Sequence, residues 1–428
     1  MFRGVLFGKF NKVVFCFWIM KMKDILKSEL GLVRVDKDEI LRLKDIASDF
    51  IESLKREGLR AFVGGSLAKG TMIRKAGKQD IDIFVVFDYS EDILGLGDIL
   101  KKVKLPGELS VVHGSRDYFH VDLDDVVLEV IPVVENKDPE LAENVTDMSL
   151  SHVRYVSGEI DKDVGLAGEI MLAKAFCRAQ KCYGAEGYVR GFSGYSLEVL
   201  VIYFGSFVKF LKGIKRIRVV DSMKYFKGRS EIMREINASK LQGPLVVIDP
   251  TYKFRNVCAG LGLSTFERFL EVSGEFLKKP SLDFFNRKEI DVEELVVFAE
   301  RKKARFLELE FSTDRQEGDI AGTKMRKMMR FFERELIRKG QVVLKSEFDY
   351  DGEGQGARGY LVVLESGEVE RKGPSVGLER EAERFCEANK GCYEKGKFWW
   401  CKDKVSVERV LDFVKGFEGE MGVQISLL

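Results

Sequence analysis

The stretch GGSLAKGTMIRKAGKQDIDIFVVF, residues 64–87, constrains this chain more than any other. Asp80 and Asp82 stand one residue apart at the start of an otherwise apolar strand. Residues i and i+2 of a strand share a face, so the two carboxylates lie side by side while Ile81 and Ile83 face away. Like charges that close stay ionised cheaply only with a cation between them. Upstream, Gly64-Gly65-Ser66 follows the apolar strand Ala61-Phe62-Val63 and leads into a helix. Such a turn exposes N–H groups that suit phosphate oxygens, and Ser66 adds a hydroxyl. Lys69 offers a positive charge one turn on. A third carboxylate, Glu129, interrupts the apolar run VVLEVIPVV (126–134), where it is costly unless paired or bound to metal. Ser-Gly turns and Asp-x-Asp pairs on solvated strands are each commonplace. Together they set a phosphate cradle opposite a divalent-cation site, the combination that phosphoryl and nucleotidyl transfer requires.

The remaining composition narrows the class. A chain of 428 residues has room for about three domains. At 45% hydrophobic and 32% charged it folds around a core rather than staying disordered. The 70 basic and 69 acidic residues nearly cancel, so partners follow from where the charge lies. Seven scattered cysteines without CxxC or zinc spacing suit a reducing, cytoplasmic setting, and three histidines leave little room for a His-rich metal centre. The N-terminus MFRGVLFGKFNKVVFCFWIM carries an apolar run, Val13 to Met20, too short for a membrane span of roughly 20 residues. As a signal peptide the whole segment fails, because Lys9 and Lys12 interrupt its apolar part and no small-residue cleavage site follows. Residues 1–21 are therefore expected to be an extension, with Met22 the favoured true start over a surface anchor.

Helical spacing (Ile25, Leu26, Leu30, Ile40, Leu43, Ile46, Ile51, Leu54) runs from Asp24 to about Glu57. Strands are expected at 60–63, 80–87, 109–113 and 126–134, with a helix between 91 and 103. Further helices fall at 166–182, 194–212 and 266–277, the last ended by Pro280. Beyond it, strands (306–311, 342–348, 359–364, 398–402) alternate with helices (323–339, 377–389). The expected class is α+β.

The Gly-Ser turn and aspartate pair resemble the nucleotidyltransferase superfamily of DNA polymerase beta. More narrowly, the chain resembles the class I (archaeal-type) CCA-adding enzymes. CYGAEGYVRGFSGYSLEVLVIYFGSF (182–207), VIDPTYKFRNVCAGL (247–261) and KPSLDFF (279–285) carry that likeness, which fades through RKGPS (371–375) and GKFWW (396–400). The resemblance implies a polymerase-beta-like palm (22–145), a largely helical nucleotide-binding domain (146–285) and an α/β tRNA-binding domain (286–428) with a shortened tail. It implies template-free addition of C, C and A to tRNA 3′ ends from CTP and ATP, with two Mg²⁺ ions held by Asp80, Asp82 and Glu129. Gly65, Ser66 and Lys69 then hold the triphosphate from the turn. Ser149, His152, Lys174 and Tyr183 align with contacts to triphosphate and sugar, and Arg255 with the arginine that selects C or A. No protein general base is required. Three departures stand out: Glu129 replaces Asp, Lys69 replaces Arg, and DMSLSH (147–152) replaces a more basic segment, leaving Met148 uncharged.

The RNA partner calls for a basic surface. Between Arg301 and Lys345 there are 13 basic and 7 acidic residues, and the helix at 323–339 sets Lys324, Lys327, Arg334 and Arg338 opposite an apolar stripe. Acceptor-stem binding by shape needs no sequence-reading motif. No membrane partner is expected, and a homodimer stays open. The alternatives are a poly(A) polymerase of the same superfamily, and a tRNA-binding protein whose transferase site has decayed through Glu129, Lys69 and Met148.

Overall fold

The structure, a computed structural model, describes residues 20–75, 77–88, 93–113, 116–135, 144–287, 289–365, 369–403 and 405–428. The expectation for the N-terminal extension therefore lies outside the described residues except at positions 20 and 21. Two compact units divide the chain: residues 1–185 with 189–288, and Glu186–Tyr188 with Glu289–Leu428.

The long helix expected from Asp24 to Glu57 is two helices, α1 (20–33) and α2 (Lys37–Arg56). They part at Arg34, which bridges to Ile73, and at Asp36, whose extended backbone starts α2 with Asp38 and Glu39 in its first turn. Acidic residues there suit the helix dipole. Leu43, Ala47, Phe50 and Leu54 form the buried stripe of α2. That stripe packs in one core with Ile81, Ile83, Val85, Leu128 and Val130 of the adjoining sheet.

The sheet contains β1 (Arg60–Val63), β2 (Gln79–Phe87), β3 (Glu108–Val112), β4 (Tyr118–Asp122) and β5 (Val126–Val134), ordered β1-β2-β5-β4-β3. β4 had no counterpart among the expected strands. β2 and β5 run parallel, and the remaining pairings are antiparallel. Between β1 and β2 lies the short α3 (Gly65–Lys69). Of the helix expected at 91–103, a single turn of 3₁₀ and α4 (Leu96–Leu100) form; residues 91 and 92 are outside the described set. The alternation that buries Ile81, Ile83 and Val85 turns Asp80, Asp82, Phe84 and Val86 to the other face. There, Phe84 and Val86 pack with Leu150 and Val153 of α5 (Ser149–Lys162).

The helical part of this unit adds α6 (Gly165–Ala179), α7 (Gly194–Phe204) and α8 (Phe207–Gly213). The single helix expected over 194–212 breaks because Gly205 takes φ +76° and the Ser206 side chain accepts the Lys209 N–H as a new cap. A small sheet, β6 (Val219–Val220), β7 (Val246–Asp249) and β8 (Tyr252–Asn256), with α9 (Arg229–Glu235) between its first two strands, interrupts the helices. α10 (Leu263–Lys278) follows. Phe176, Phe192, Phe207, Phe210, Phe266, Phe269 and Phe276 fill a common core, and Met22, Ile25, Leu26 and Leu30 of α1 pack against it.

In the second unit, β9 (Arg305–Ser312), β10 (Val342–Asp349), β11 (Gly356–Leu364) and β15 (Gln424–Leu427) form a sheet ordered β10-β11-β9-β15. α11 (Val292–Lys302) and α12 (Gly318–Arg338) accompany it. α12 buries Met325, Met328, Met329, Phe332 and Leu336 in a core shared with Val407, Val410, Leu411 and Val414 of α14 (Val407–Lys415). A second sheet has the order β12-β14-β13, from β12 (Val369–Ser375), β13 (Tyr393–Lys395) and β14 (Phe398–Asp403). Beside it, α13 (Glu379–Ala388) ends in a disulfide between Cys386 and Cys392, Cα atoms 5.4 Å apart. A turn folds the chain back on itself here, a proximity that spacing does not disclose. Cys177, Cys182, Cys258 and Cys401 are free and buried. No helix among the described residues is long and apolar enough to cross a membrane.

Candidate active site

The parallel register of β2 and β5 sets Asp82 directly beside Glu129. Burial, then the charge of Glu129, pushes the Asp82 carboxyl up to about 6 from its ordinary 3.8, as expected of two like charges sharing a face. Gly65 explains the approach of the turn. It takes φ +55°, and a Cβ there would lie 1.6 Å from Asp82 Oδ2, so only glycine brings the turn onto the carboxylate. The Gly64 N–H donates to the Asp82 carbonyl at 2.7 Å and completes the clasp. Asp80 is engaged differently: its carboxylate forms an ion pair with Lys75. Across β4, His120 Nε2 lies 3.5 Å from Glu129 Oε1, buried and without a hydrogen-bond partner. A cavity of about 150 Å³, lined by Arg116, Tyr118, Glu129, Ile131, Pro132 and Thr146 among others, leaves open space at Glu129.

These residues fit a hard divalent cation. The donors are carboxylate oxygens, two repel across adjacent strands, and the third already attracts an ammonium. Among the described residues no three His, Cys, Asp or Glu side chains close around one point as they stand. Asp82 and Glu129 are brought together, while Asp80 turns to Lys75.

Of the nucleotide residues expected from sequence, Lys69 and Lys174 enter one buried knot and His152 and Arg255 another. In one, Lys69 Nζ donates to Glu198 Oε2 at 2.7 Å and Lys174 Nζ to Glu198 Oε1 at 2.8 Å. Thr71 donates its hydroxyl to the same oxygen at 2.8 Å and accepts from Lys174 at 2.9 Å. Glu198 is fully buried. Burial opposes its charge, but Lys174 and Lys69 outweigh it and hold the carboxyl down at about 2. Tyr183 borders this knot, because a Cβ on Gly194 would meet the Tyr183 hydroxyl at 3.0 Å and Lys174 Cε at 3.8 Å.

In the other knot, Asp249 is the hub. Arg255 Nη1 donates to Asp249 Oδ2 at 2.8 Å, and Tyr195 and Thr251 donate their hydroxyls to Oδ1 at 2.9 and 2.7 Å. His152 Nε2 lies 3.1 Å from Asp249 Oδ2 and 2.9 Å from Arg255 Nη1, and its ring stacks on Tyr195 at 3.8 Å. Burial lowers the His152 pKa. Against burial, His152 and Arg255 draw the Asp249 carboxyl far below the usual range. Lys69 Nζ sits 6.0 Å from the Tyr195 ring, so the knots adjoin. Ser66 and Ser149 lie in α3 and at the start of α5, which pack together. Met148 is buried.

Sequence reasoning missed Glu198, Asp249 and Lys75. Glu198 carried a usable signal, a lone carboxylate in the apolar run YSLEVLVIY, the same kind of interruption that singled out Lys174. Asp249 closes the apolar run Val246 to Ile248 and carried a weaker one. Lys75, in a basic loop, carried none.

A five-stranded mixed sheet, a glycine turn seated on a strand carboxylate and a helical partner domain define a nucleotidyltransferase of the polymerase-beta-like class. Its solved relatives in fold include a cytoplasmic RNA terminal U-transferase (12% identity) and the Cid1 poly(U) polymerase bound to MgATP (14%). Each has a TM-score of 0.50 and covers 63% of this chain and 99% of the other. The family model described as tRNA nucleotidyltransferase, second domain, matches residues 168–286. The CCA-adding enzyme of Thermococcus kodakarensis is 31% identical over 92% of this chain and 89% of its own length. Those of Nanoarchaeum equitans (31%, 68% and 70%) and Methanocaldococcus jannaschii (27%, 86% and 84%) are also similar. The chain belongs to the CCA-adding enzymes, the archaeal-type tRNA nucleotidyltransferases.

Proposed function

We propose that this enzyme adds or repairs the 3′-terminal CCA of tRNA without a template, in the cytoplasm, using CTP and ATP and two magnesium ions held by Asp80, Asp82 and Glu129. The observation that carries the site reading is the lateral pairing of Asp82 with Glu129 under the Gly65 turn. When bound, the magnesium ions supply the charge that lowers the pKa of the tRNA 3′-hydroxyl and stabilises the leaving pyrophosphate.

The chain's own residues do the positioning. Gly65 and Ser66 present the turn to the triphosphate, with Lys69 and Lys174 aimed from one side by Glu198. Tyr183 and Ser149 border the same space. Arg255, clamped by Asp249 and His152, keeps its planar fork in one orientation, as selection among base edges requires. In this reading residues 22–145, 146–285 and 286–428 divide the work into transfer, nucleotide selection and tRNA binding, as a monomer or a homodimer. The test is incubation with Mg²⁺, labelled CTP or ATP, and tRNA lacking its 3′ end. Ordered C, C, A addition supports the proposal. Long A tails would instead mark a poly(A) polymerase, and binding without incorporation a decayed site.

A further inference from the structure

Lys75 lies on the loop between α3 and β2, five residues before Asp80, and pairs with that carboxylate. Its side chain is 32% exposed, so water reaches it. Burial and then the nearby Arg178 guanidinium act against its charge and outweigh the attraction of Glu129 and Asp82. Arg178 lies one turn beyond Lys174 on α6, with its guanidinium 5.3 Å from the Tyr183 ring centroid. A cation thus stands where the acidic cluster needs one, attracted by three carboxylates and repelled by a neighbour of its own sign.

We propose that Lys75 is a resident counter-ion of the acidic cluster, which a divalent metal must displace from Asp80 before the site is loaded. The inference rests on the metal-site reading above. Without metal, the ammonium relieves the repulsion among Asp80, Asp82 and Glu129. The loop position lets it swing away without disturbing β2, and repulsion from Arg178 weakens its hold. Metal affinity of the free enzyme is therefore held down.

The test is a Mn²⁺ titration of the full chain without nucleotide, following free Mn²⁺ by electron paramagnetic resonance. Lys75→Gln is expected to bind Mn²⁺ about tenfold more tightly than wild type, because roughly one competing charge has been removed. Lys75→Arg, which keeps the charge, is expected to stay near wild type. Unchanged or weaker binding in Lys75→Gln, or equal tightening in Lys75→Arg, would overturn the counter-ion role. Asp82→Asn separates this from the underlying reading. It is expected to weaken Mn²⁺ binding strongly; if it binds like wild type, the carboxylate site itself is wrong and the inference falls with it.

Discussion

Removing the Glu198 charge strands two lysine ammonium groups in a dry interior. Glu198→Gln is expected to cost about 3–5 kcal/mol in denaturant unfolding, the usual penalty for breaking a buried ion pair from one side. The sign with pH follows from the lowered carboxyl. Its folded value of about 2 lies below the ordinary 4.5, so its stabilisation is complete above that ordinary value. It is lost as pH falls toward the folded value. The stability gap between wild type and Glu198→Gln should therefore shrink over that interval and hold steady near neutrality. Gly65→Ala forces a methyl into the Asp82 carboxylate and a strained φ. Loss of nucleotide incorporation with tRNA binding retained is the expected outcome, read by primer extension and a filter-binding assay. Asp82→Ala should give the same separation. At the Asp249 knot, Asp249→Asn frees Arg255 from its clamp, and under the proposed selection role discrimination against UTP and GTP should fall about tenfold, some 1.4 kcal/mol.

Among the elements, α12 shows how an amphipathic pattern divides its duties. Met325, Met328, Phe332 and Leu336 are fully buried, while Lys327 and Arg334 are exposed and Lys324 half-exposed. Replacing Lys324, Lys327 and Arg334 together with Gln leaves that core untouched. If the face tracks tRNA phosphates, the slope of log Kd against log salt should fall by about 0.9 for each phosphate that is no longer neutralised. An unchanged slope would assign α12 to packing alone. Arg338 is a poorer probe, because it is already paired with Glu335 at 2.6 Å. Strands β2 and β5 were more legible than the helix limits. β2 and β5 follow from apolar runs, whereas the breaks at Arg34 and Gly205 depend on a bridge to Ile73 and on a capping serine. Periodicity carries through such breaks without a mark.

Over the whole molecule, the two compact units have separate hydrophobic cores. Calorimetry is therefore expected to require more than one two-state transition. CTP with Mg²⁺ should raise the transition of the unit holding residues 189–288 by mass action. A single transition shifted as a whole would contradict this. The near-zero net charge, +1, leaves tRNA attraction to local surfaces rather than to a global field.

The sequence by itself determined which charged groups stand out. Strand alternation puts Asp80 and Asp82 on one face, a glycine turn precedes them, and Glu129 and Lys174 interrupt apolar runs where an ionised group needs a partner. Local spacing is enough for such inferences, because one side chain's direction follows from its neighbours. Tertiary structure decided the pairings. The parallel register alone puts Glu129 beside Asp82, and only packing brings Glu198 to Lys69 and Lys174, Asp249 to Arg255 and His152, and Lys75 to Asp80. Those partners come from different elements, and the energy of a buried charge depends on what surrounds it in space rather than along the chain.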